Sequence, residues 1–400
     1  MTREYPFTGR SVFKNQRKLQ PRYIPNELIH RKAQLKQLRN IFKEAIIHPE
    51  SQHMKVIQLI GPTGSGKTST AHHFSTLLER EARRLKNKLS VIHVNCKLEA
   101  RTRANLYRRL LSKAIGRDAR GYPAEEYLSK LLEHLHETNK YLLVILDDVD
   151  HLIRNSSPEK QGAGVVYDMT RLNELDLAGP AHVLGVVFIA KDHSFLELLD
   201  PSERSSLGNL VVRLPHYDRD QLIDILEARA KEAFRPGAVS RNLIEYVADL
   251  ASGRKEDPGD CRYALDLLLS AGIKADEDRF EEITFEHVRE VHSSFLWGIS
   301  AEELKDLGAH SIMVLRAAVQ ALRSGKSAYV PMKAVHEYYE ILCGARNFTP
   351  LSYTRIKQLL RELDSIGALD QEPGKGIGVA GATLKDLEQD LSDLEKCFKI

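Results

Sequence analysis

The residues with the most explicit chemistry are Gly61-Pro62-Thr63-Gly64-Ser65-Gly66-Lys67-Thr68, with Ser69 directly behind them. Their spacing is G-x-x-x-x-G-K-[ST]. The glycines let backbone N–H groups turn toward phosphates, and a helix beginning at the lysine adds the partial positive charge of its N-terminus. In such a loop Lys67 reaches the β- and γ-phosphates, and the Thr68 hydroxyl completes a Mg²⁺ shell. A second constellation, Tyr141-Leu142-Leu143-Val144-Ile145-Leu146-Asp147-Asp148, is an apolar run that ends in two acids. Asp147 is placed to hold Mg²⁺ through water and Asp148 to activate the attacking water. The expected cofactors are ATP or ADP with Mg²⁺, and the expected reaction is ATP hydrolysis.

These groups meet only if strands and a helix deliver them to one edge. Apolar, β-branched runs stand at Val56 to Ile60, Val91 to Val94, Leu142 to Leu146, Val183 to Ala190 and Leu210 to Leu214, separated by stretches of helical apolar spacing. Strands alternating with helices predict an α/β fold whose parallel sheet is covered on both faces. The phosphate loop then lies between the first strand and a helix, where its chemistry needs it. From Asp218 the strands stop and only helical patterns follow, which predicts a small helical domain. Around Trp297-Gly298-Ile299-Ser300 the pattern resets. Three helices follow, carrying Ile312, Leu315, Val319 and Leu322, then Val335, Tyr338, Tyr339 and Leu342, then Ile356, Leu359, Leu360 and Leu363. After them Ile366-Gly367-Ala368-Leu369 and a glycine-rich stretch from Gly374 to Gly381 read as a short strand and a hairpin. The expected division is an N-terminal arm and nucleotide-binding base over 1–216, a helical lid over 217–298 and a winged helix-turn-helix over 299–400.

The bulk properties bound the rest. A chain of 400 residues with 42% hydrophobic and 28% charged residues suits several globular domains. No apolar run approaches a membrane span, and the N-terminus has no apolar stretch of the signal-peptide kind, so an intracellular, cytoplasmic protein is expected. Cys96, Cys261, Cys343 and Cys397 are scattered singly, which suggests neither a disulfide framework nor a zinc knuckle. Net charge is only +3, but Arg10, Lys14, Arg17, Lys18, Arg22, Arg31, Lys32, Lys36 and Arg39 crowd the N-terminal segment. Such a basic arm could touch phosphates or simply be a solvated face.

Three further segments carry a resemblance: Leu19-Gln20-Pro21-Arg22-Tyr23-Ile24-Pro25-Asn26-Glu27-Leu28-Ile29-His30-Arg31, Leu214-Pro215-His216-Tyr217-Asp218, and Gly259-Asp260-Cys261-Arg262-Tyr263-Ala264-Leu265-Asp266. With the phosphate loop they make the chain resemble, over nearly its whole length, the archaeal replication-initiator family. Its members are single-chain AAA+ relatives of the eukaryotic origin recognition complex and of its helicase-loading partner. The resemblance implies that Tyr23, Ile24 and Pro25 lie near adenine, that Tyr217 stands at the junction to the lid, and that Arg262 reaches the γ-phosphate as the sensor-2 arginine. It also implies a water-positioning place for Lys191, where the family usually has asparagine, and makes Arg204 the one remaining candidate for an arginine finger, Ser202 occupying a common basic position. Asp148 stands where many AAA+ proteins place glutamate; being one methylene shorter, it implies slow hydrolysis.

In a winged helix the recognition helix enters the major groove and the wing follows the backbone or minor groove. The candidate helix runs from about Ser352 to Leu363, and its apolar face leaves Tyr353, Thr354, Arg355, Lys357 and Arg361 to point outward. Lys375 is the strongly placed cation of the wing. The family also places an extra helix with DNA contacts after the second strand, making Arg101, Arg103, Arg108 and Arg109 candidates. The implied partners are double-stranded origin DNA, the MCM replicative helicase and sibling initiators. Two alternatives stay open at this point: a STAND-type signalling ATPase that uses its winged helix for protein contact, and a transposition-related ATPase acting on other DNA.

Overall fold

The computed structural model describes residues 11–51, 53–100, 102–154, 164–175, 182–254, 257–295, 308–325, 327–365, 368–372, 374–379 and 383–398. They fall into two compact units: one of residues 24–221 with 255–261, the other of the N-terminal segment through Tyr23 with 222–254 and 262–400.

The first unit is built on a sheet of five parallel strands in the order β2-β3-β4-β1-β5, where β1 is Lys55–Ile60, β2 Leu89–Asn95, β3 Tyr141–Asp147, β4 Val183–Ala190 and β5 Val211–Arg213. Every residue of β3 and β4 is buried, as expected for central strands covered on both faces. Helices α1 (Lys32–Ile47) and α2 (Lys67–Arg84) cover one face, sharing a core of Leu38, Phe42, Phe74 and Leu78 with Ile57, Leu59, Leu143 and Ile145. Helices α3 (Arg103–Ile115), α4 (Ala124–Thr138), α5 (Val149–Arg154) and α6 (Gly164–Thr170) share the other core with alternate strand residues such as Leu142, Val144 and Leu146. The short α7 (Pro201–Leu207) begins with a capping box between Asp200 and Glu203. All five strands expected from the sequence are present, each within two residues of its expected ends.

In the second unit, α8 (Arg219–Ala233, from Leu222 onward), α9 (Arg241–Ser252), α10 (Cys261–Glu277, from Arg262 onward) and α11 (Phe285–Phe295) form the helical lid. The segment 11–23, expected beside the nucleotide base, packs on these lid helices. Phe13 stacks on Phe234, the Val12 N–H donates to Asp276 Oδ1 (2.7 Å), and Arg229 Nε donates to the Lys18 carbonyl (2.7 Å). Its cations are thus partly spent on the lid: Lys18 pairs with Glu232 at 3.1 Å.

The winged helix follows with α12 (Ala309–Ser324), α13 (Met332–Ala345) and α14 (Tyr353–Ser365). They are packed through Leu315, Val319, Val335, Tyr339, Ile356 and Leu360. The antiparallel hairpin β6 (Asp370–Glu372) and β7 (Gly376–Gly378) forms the wing, and Val330 bridges Ile377 as a further short pairing. Trp297 to Ser300, Ile366, Gly367 and Gly381, which carried parts of the sequence reading, lie outside the described residues. The acidic stretch after the wing forms a further helix, α15 (Leu384–Phe398), whose Leu387 and Leu391 enter the same core. Glu395 on it receives Arg316 and Arg346 at 2.8 and 2.9 Å. Cys96, Cys261 and Cys343 are buried and form no disulfide.

Candidate nucleotide-binding site and winged-helix surface

The phosphate loop joins the buried end of β1 to the start of α2, and its backbone has the concave turn that an anion needs. Gly64 and Gly66 adopt φ of 68° and 84°, values that L side chains rarely take, and Gly66 is the N-cap of α2. Long-range neighbours press on the loop as well. A Cβ added to Gly64 would lie 1.8 Å from Asp260 Oδ1, and one on Gly66 would lie 2.8 Å from the Tyr217 hydroxyl. Lys67 Nζ donates to the carbonyls of Gly61 and Pro62 at 2.6 and 2.8 Å, which holds the ammonium over the loop.

A residue taken in the sequence as part of a basic arm proves to be a brace for this loop. Arg31 is only 2% exposed; its Nε donates to the Ser65 carbonyl at 3.0 Å and its Nη2 to the Pro215 carbonyl at 2.8 Å. The guanidinium lies 3.7 Å from the centre of the Tyr217 ring, a cation–π contact within a nearly dry site. Burial lowers the pKa of Arg31 and pushes the Tyr217 phenol up to about 12. No spacing rule flags Arg31, because its partners are backbone carbonyls remote in sequence.

Asp147 ends β3 beside the loop. Its Oδ2 accepts the Thr68 hydroxyl at 2.7 Å and has His93 Nε2 at 3.4 Å, while Oδ1 accepts the Asp148 N–H at 3.1 Å. Burial would raise the Asp147 pKa, but the polar contacts with His93 and Thr68, with the charge of Lys67, outweigh it and hold the group below the ordinary carboxylate range. A hydroxyl and an ionised carboxylate side by side at the start of α2 are the hard oxygen donors that Mg²⁺ prefers, so the residues fit that ion. Asp148 takes φ of 54°, uncommon outside glycine, and its Oδ2 accepts Asn95 Nδ2 at 2.9 Å. Asn95 Oδ1 accepts the N–H groups of Lys97 and Leu98, so the turn after β2 fixes which end of the amide faces Asp148. The sequence reading overlooked Asn95; the register that pairs it with Asp147 across β2 and β3 is what brings it there.

Other expected residues are placed less simply. Lys191, at the end of β4, pairs with Asp257 at 3.2 Å and is half exposed. Arg204 on α7 donates to the carbonyls of Leu199 and Glu197 at 3.0 and 3.1 Å, so its guanidinium braces its own loop. The Tyr23 hydroxyl donates to Glu232 Oε2 at 2.7 Å, its ring carries Lys18 and Arg229 on its faces, and the neighbouring Ile24 is exposed. Arg262 is the second residue of α10 and opens the lid's third helix.

With this geometry established, comparison with known proteins identifies the family. The profile of the AAA domain matches residues 50–199, that of the Cdc6 AAA+ ATPase-type lid domain 223–293, and that of the CDC6 C-terminal winged helix domain 302–385. The ORC1-type DNA replication protein of Pyrococcus abyssi is 32% identical over 369 residues, spanning 90% of this chain and 84% of the relative. The chain belongs to the ORC1/Cdc6-type replication protein family. Among solved structures, Cdc6p from Pyrobaculum aerophilum superposes with a TM-score of 0.84 at 26% identity, covering 97% of this chain and all of that one (100%). The ORC1 protein of Aeropyrum pernix in complex with DNA gives a TM-score of 0.62 at 28% identity, over 96% of this chain and 97% of that one. The resemblance stated from the sequence and the expected fold class, a AAA+ sheet with lid and winged helix, both hold. As in its AAA+ ATPase relatives, nucleotide binding belongs to the family.

The ORC1/Cdc6-type winged helix presents α14 much as its periodicity requires. Ile356, Leu359, Leu360 and Leu363 are buried, while Tyr353, Thr354, Arg355, Lys357 and Arg361 are exposed. Among the described residues, Arg355 reaches Gln358 and Glu362 on its own helix. The wing differs. Lys375 Nζ lies 2.5 Å from Oδ1 of Asp249, a lid residue only 4% exposed. Around that pair the buried Tyr246 hydroxyl donates to the Val379 carbonyl at 3.1 Å, and Arg289 Nη2 donates to the Ala328 carbonyl at 3.2 Å. On α3, Arg103 is taken up by Asp168 at 2.7 Å and by Tyr107; Arg108 is half-buried, Arg109 is exposed, and Arg101 lies outside the described residues.

Proposed function

We propose that this protein is an ATP-regulated replication initiator that binds duplex origin DNA and helps load the MCM replicative helicase, with sibling initiators as further partners. The observation that carries the DNA reading is the outward face of α14, where Tyr353, Thr354, Arg355, Lys357 and Arg361 stand together in solvent on a helix whose other face is core. A helix of this kind can fix its register through phosphates and read base edges in the major groove. The relative from Aeropyrum pernix was solved on DNA, which supports the same reading for this chain.

In this reading Mg²⁺·ATP sits at the phosphate loop. The loop N–H groups and Lys67 bind the phosphates, Thr68 and Asp147 hold the metal, and Tyr23, Ile24 and Pro25 line the adenine side. Bound Mg²⁺ neutralises charge on the phosphates and so assists their transfer. Asp148, turned by Asn95, accepts the proton of the attacking water, and Lys191 helps to position that water once released from Asp257. Arg262 senses the γ-phosphate from the lid, and Arg204 is the candidate finger for a neighbouring copy. The short reach of Asp148 makes hydrolysis a slow reset. Replacing it by glutamate is expected to raise turnover; an unchanged rate would remove its length as the limit.

The deciding experiment is footprinting on genomic fragments with wild-type protein and an Arg355→Ala/Lys357→Ala variant. Discrete protection that the variant loses is the expected result. Protection without sequence preference, or identical in the variant, would favour a transposition-related or protein-contact role for the winged helix.

A further inference from the structure

Two histidines stand behind the metal-side carboxylate, and the proposed nucleotide chemistry assigns a role to neither. His93 lies on β2 with its Nε2 3.4 Å from Asp147 Oδ2, and its other ring nitrogen, Nδ1, is buried without a hydrogen-bond partner among the described residues. His72 packs on it from α2, the ring centroids 4.3 Å apart. The arrangement follows from the elements. Thr68 and His72 are one helical turn apart on α2, so they share the face that meets the sheet. On β2, His93 and Asn95 share a face, and the register pairs them with Ile145 and Asp147. Thr68 therefore meets Asp147 directly, and His72 meets it through His93.

The tautomer is constrained by these contacts. A ring nitrogen that faces a carboxylate carries the proton, so Nε2–H faces Asp147 Oδ2 across 3.4 Å and the Nδ1 without a partner among the described residues is the bare nitrogen. An unpaired buried acceptor is costly. A phenylalanine would pack the same space without that cost. An imidazole here thus sacrifices stability for one polar contact with Asp147 Oδ2, the oxygen that also meets the Thr68 hydroxyl.

We infer that His93 is a positioning residue for the metal-side carboxylate: with His72 packed behind it, it holds Asp147 in the rotamer that faces the Thr68 hydroxyl, and so sets how tightly Mg²⁺·nucleotide is held. This inference rests on the reading of the loop as a Mg²⁺·nucleotide site. His93 acts through Asp147 and need not touch the nucleotide. Removing partners of this kind behind a metal-binding group weakens metal affinity by about 10–100-fold.

The test is a Mg²⁺ titration of the binding of a fluorescent ATP analogue to the full chain, run beside thermal melts. Wild type is compared with His93→Phe, which keeps the packing and loses the donor, and with His93→Gln, whose amide N–H can take the place of Nε2–H. The expected result is a half-saturating Mg²⁺ concentration raised about 10-fold in His93→Phe and restored in His93→Gln, with metal-free nucleotide affinity unchanged in both. If the phenylalanine variant does not fold, His93→Asn, whose amide falls short of Asp147, replaces it with the same expectation. His72→Ala should shift the midpoint in the same direction by less. A wild-type Mg²⁺ midpoint in His93→Phe, or a glutamine variant as impaired as the phenylalanine one, overturns the inference and leaves the nucleotide site standing. Nucleotide binding by wild type that ignores Mg²⁺ altogether would instead overturn the metal reading of the site.

Discussion

The phosphate loop and the wing are both glycine-rich turns that carry a single critical lysine, yet the structure treats those lysines differently. Lys67 is held by carbonyls of its own loop, at Gly61 and Pro62, so its position is settled within a few residues. Lys375 is held by Asp249, more than a hundred positions earlier in the chain, at a lid residue that is almost fully buried. A local motif delivers its cation wherever it folds. A cation fixed by a remote partner has a function that depends on whether that partner lets go.

The most severe test of the first half of this contrast is Lys67→Ala. Removing an ammonium proposed to donate to the β- and γ-phosphates should weaken ATP binding on the order of 100-fold or more, measured by fluorescent nucleotide titration. Retained affinity would mean that the loop does not bind phosphate through Lys67. On the other side, Arg355→Ala/Lys357→Ala removes two exposed cations of α14 without touching its core face. Duplex affinity should fall about 10–100-fold, and the slope of log K against log salt should become shallower by roughly two. An unaltered slope would show that these side chains do not meet phosphates.

Gly64→Ala probes the neighbours of the loop. Both the left-handed φ of 68° and the 1.8 Å approach to Asp260 Oδ1 oppose a Cβ, so a loss of roughly 1–3 kcal/mol in unfolding free energy is expected. Pairing it with Asp260→Ala should recover part of that loss. If it recovers none, the backbone conformation alone carries the cost.

Asp249→Asn sharpens the contrast where it is subtlest. Freed from its partner, Lys375 should become available to phosphate and raise duplex affinity about 3–10-fold at low salt, the worth of about one unscreened phosphate contact. No gain would show that the ion pair does not compete with DNA.

The smallest effect concerns pH and the helix that closes the winged domain. Burial alone would raise the Glu395 pKa, but hydrogen bonds from Arg316 and Arg346 prevail and hold it below the ordinary range. A carboxylate depressed in the folded state stabilises above its unfolded pKa, near 4.3, and that contribution is lost as pH falls through the lower, folded value. Thermal melts should therefore show the winged domain weakening below about pH 4.5, and Glu395→Gln should flatten that dependence at the expense of stability at neutral pH.

What the sequence determined by itself was set by short-range physics. The loop from Gly61 to Thr68, the strands around Val144 and Val186, and the exposed face of α14 follow from motif spacing, β-branched runs and a 3.6-residue period, and each has the expected form. The tertiary structure decided which partner each polar side chain finds. It turned Arg31 from an arm cation into a brace beneath Tyr217, set Asn95 and His93 against Asp148 and Asp147, and tied Lys375 to the lid. A hydrogen bond or ion pair joins whatever side chains strand register and domain packing bring within about 3 Å, and neither quantity is periodic in the sequence. The nucleotide loop was therefore legible from its residues alone, while the groups that hold and restrain it emerged only when the chain was folded.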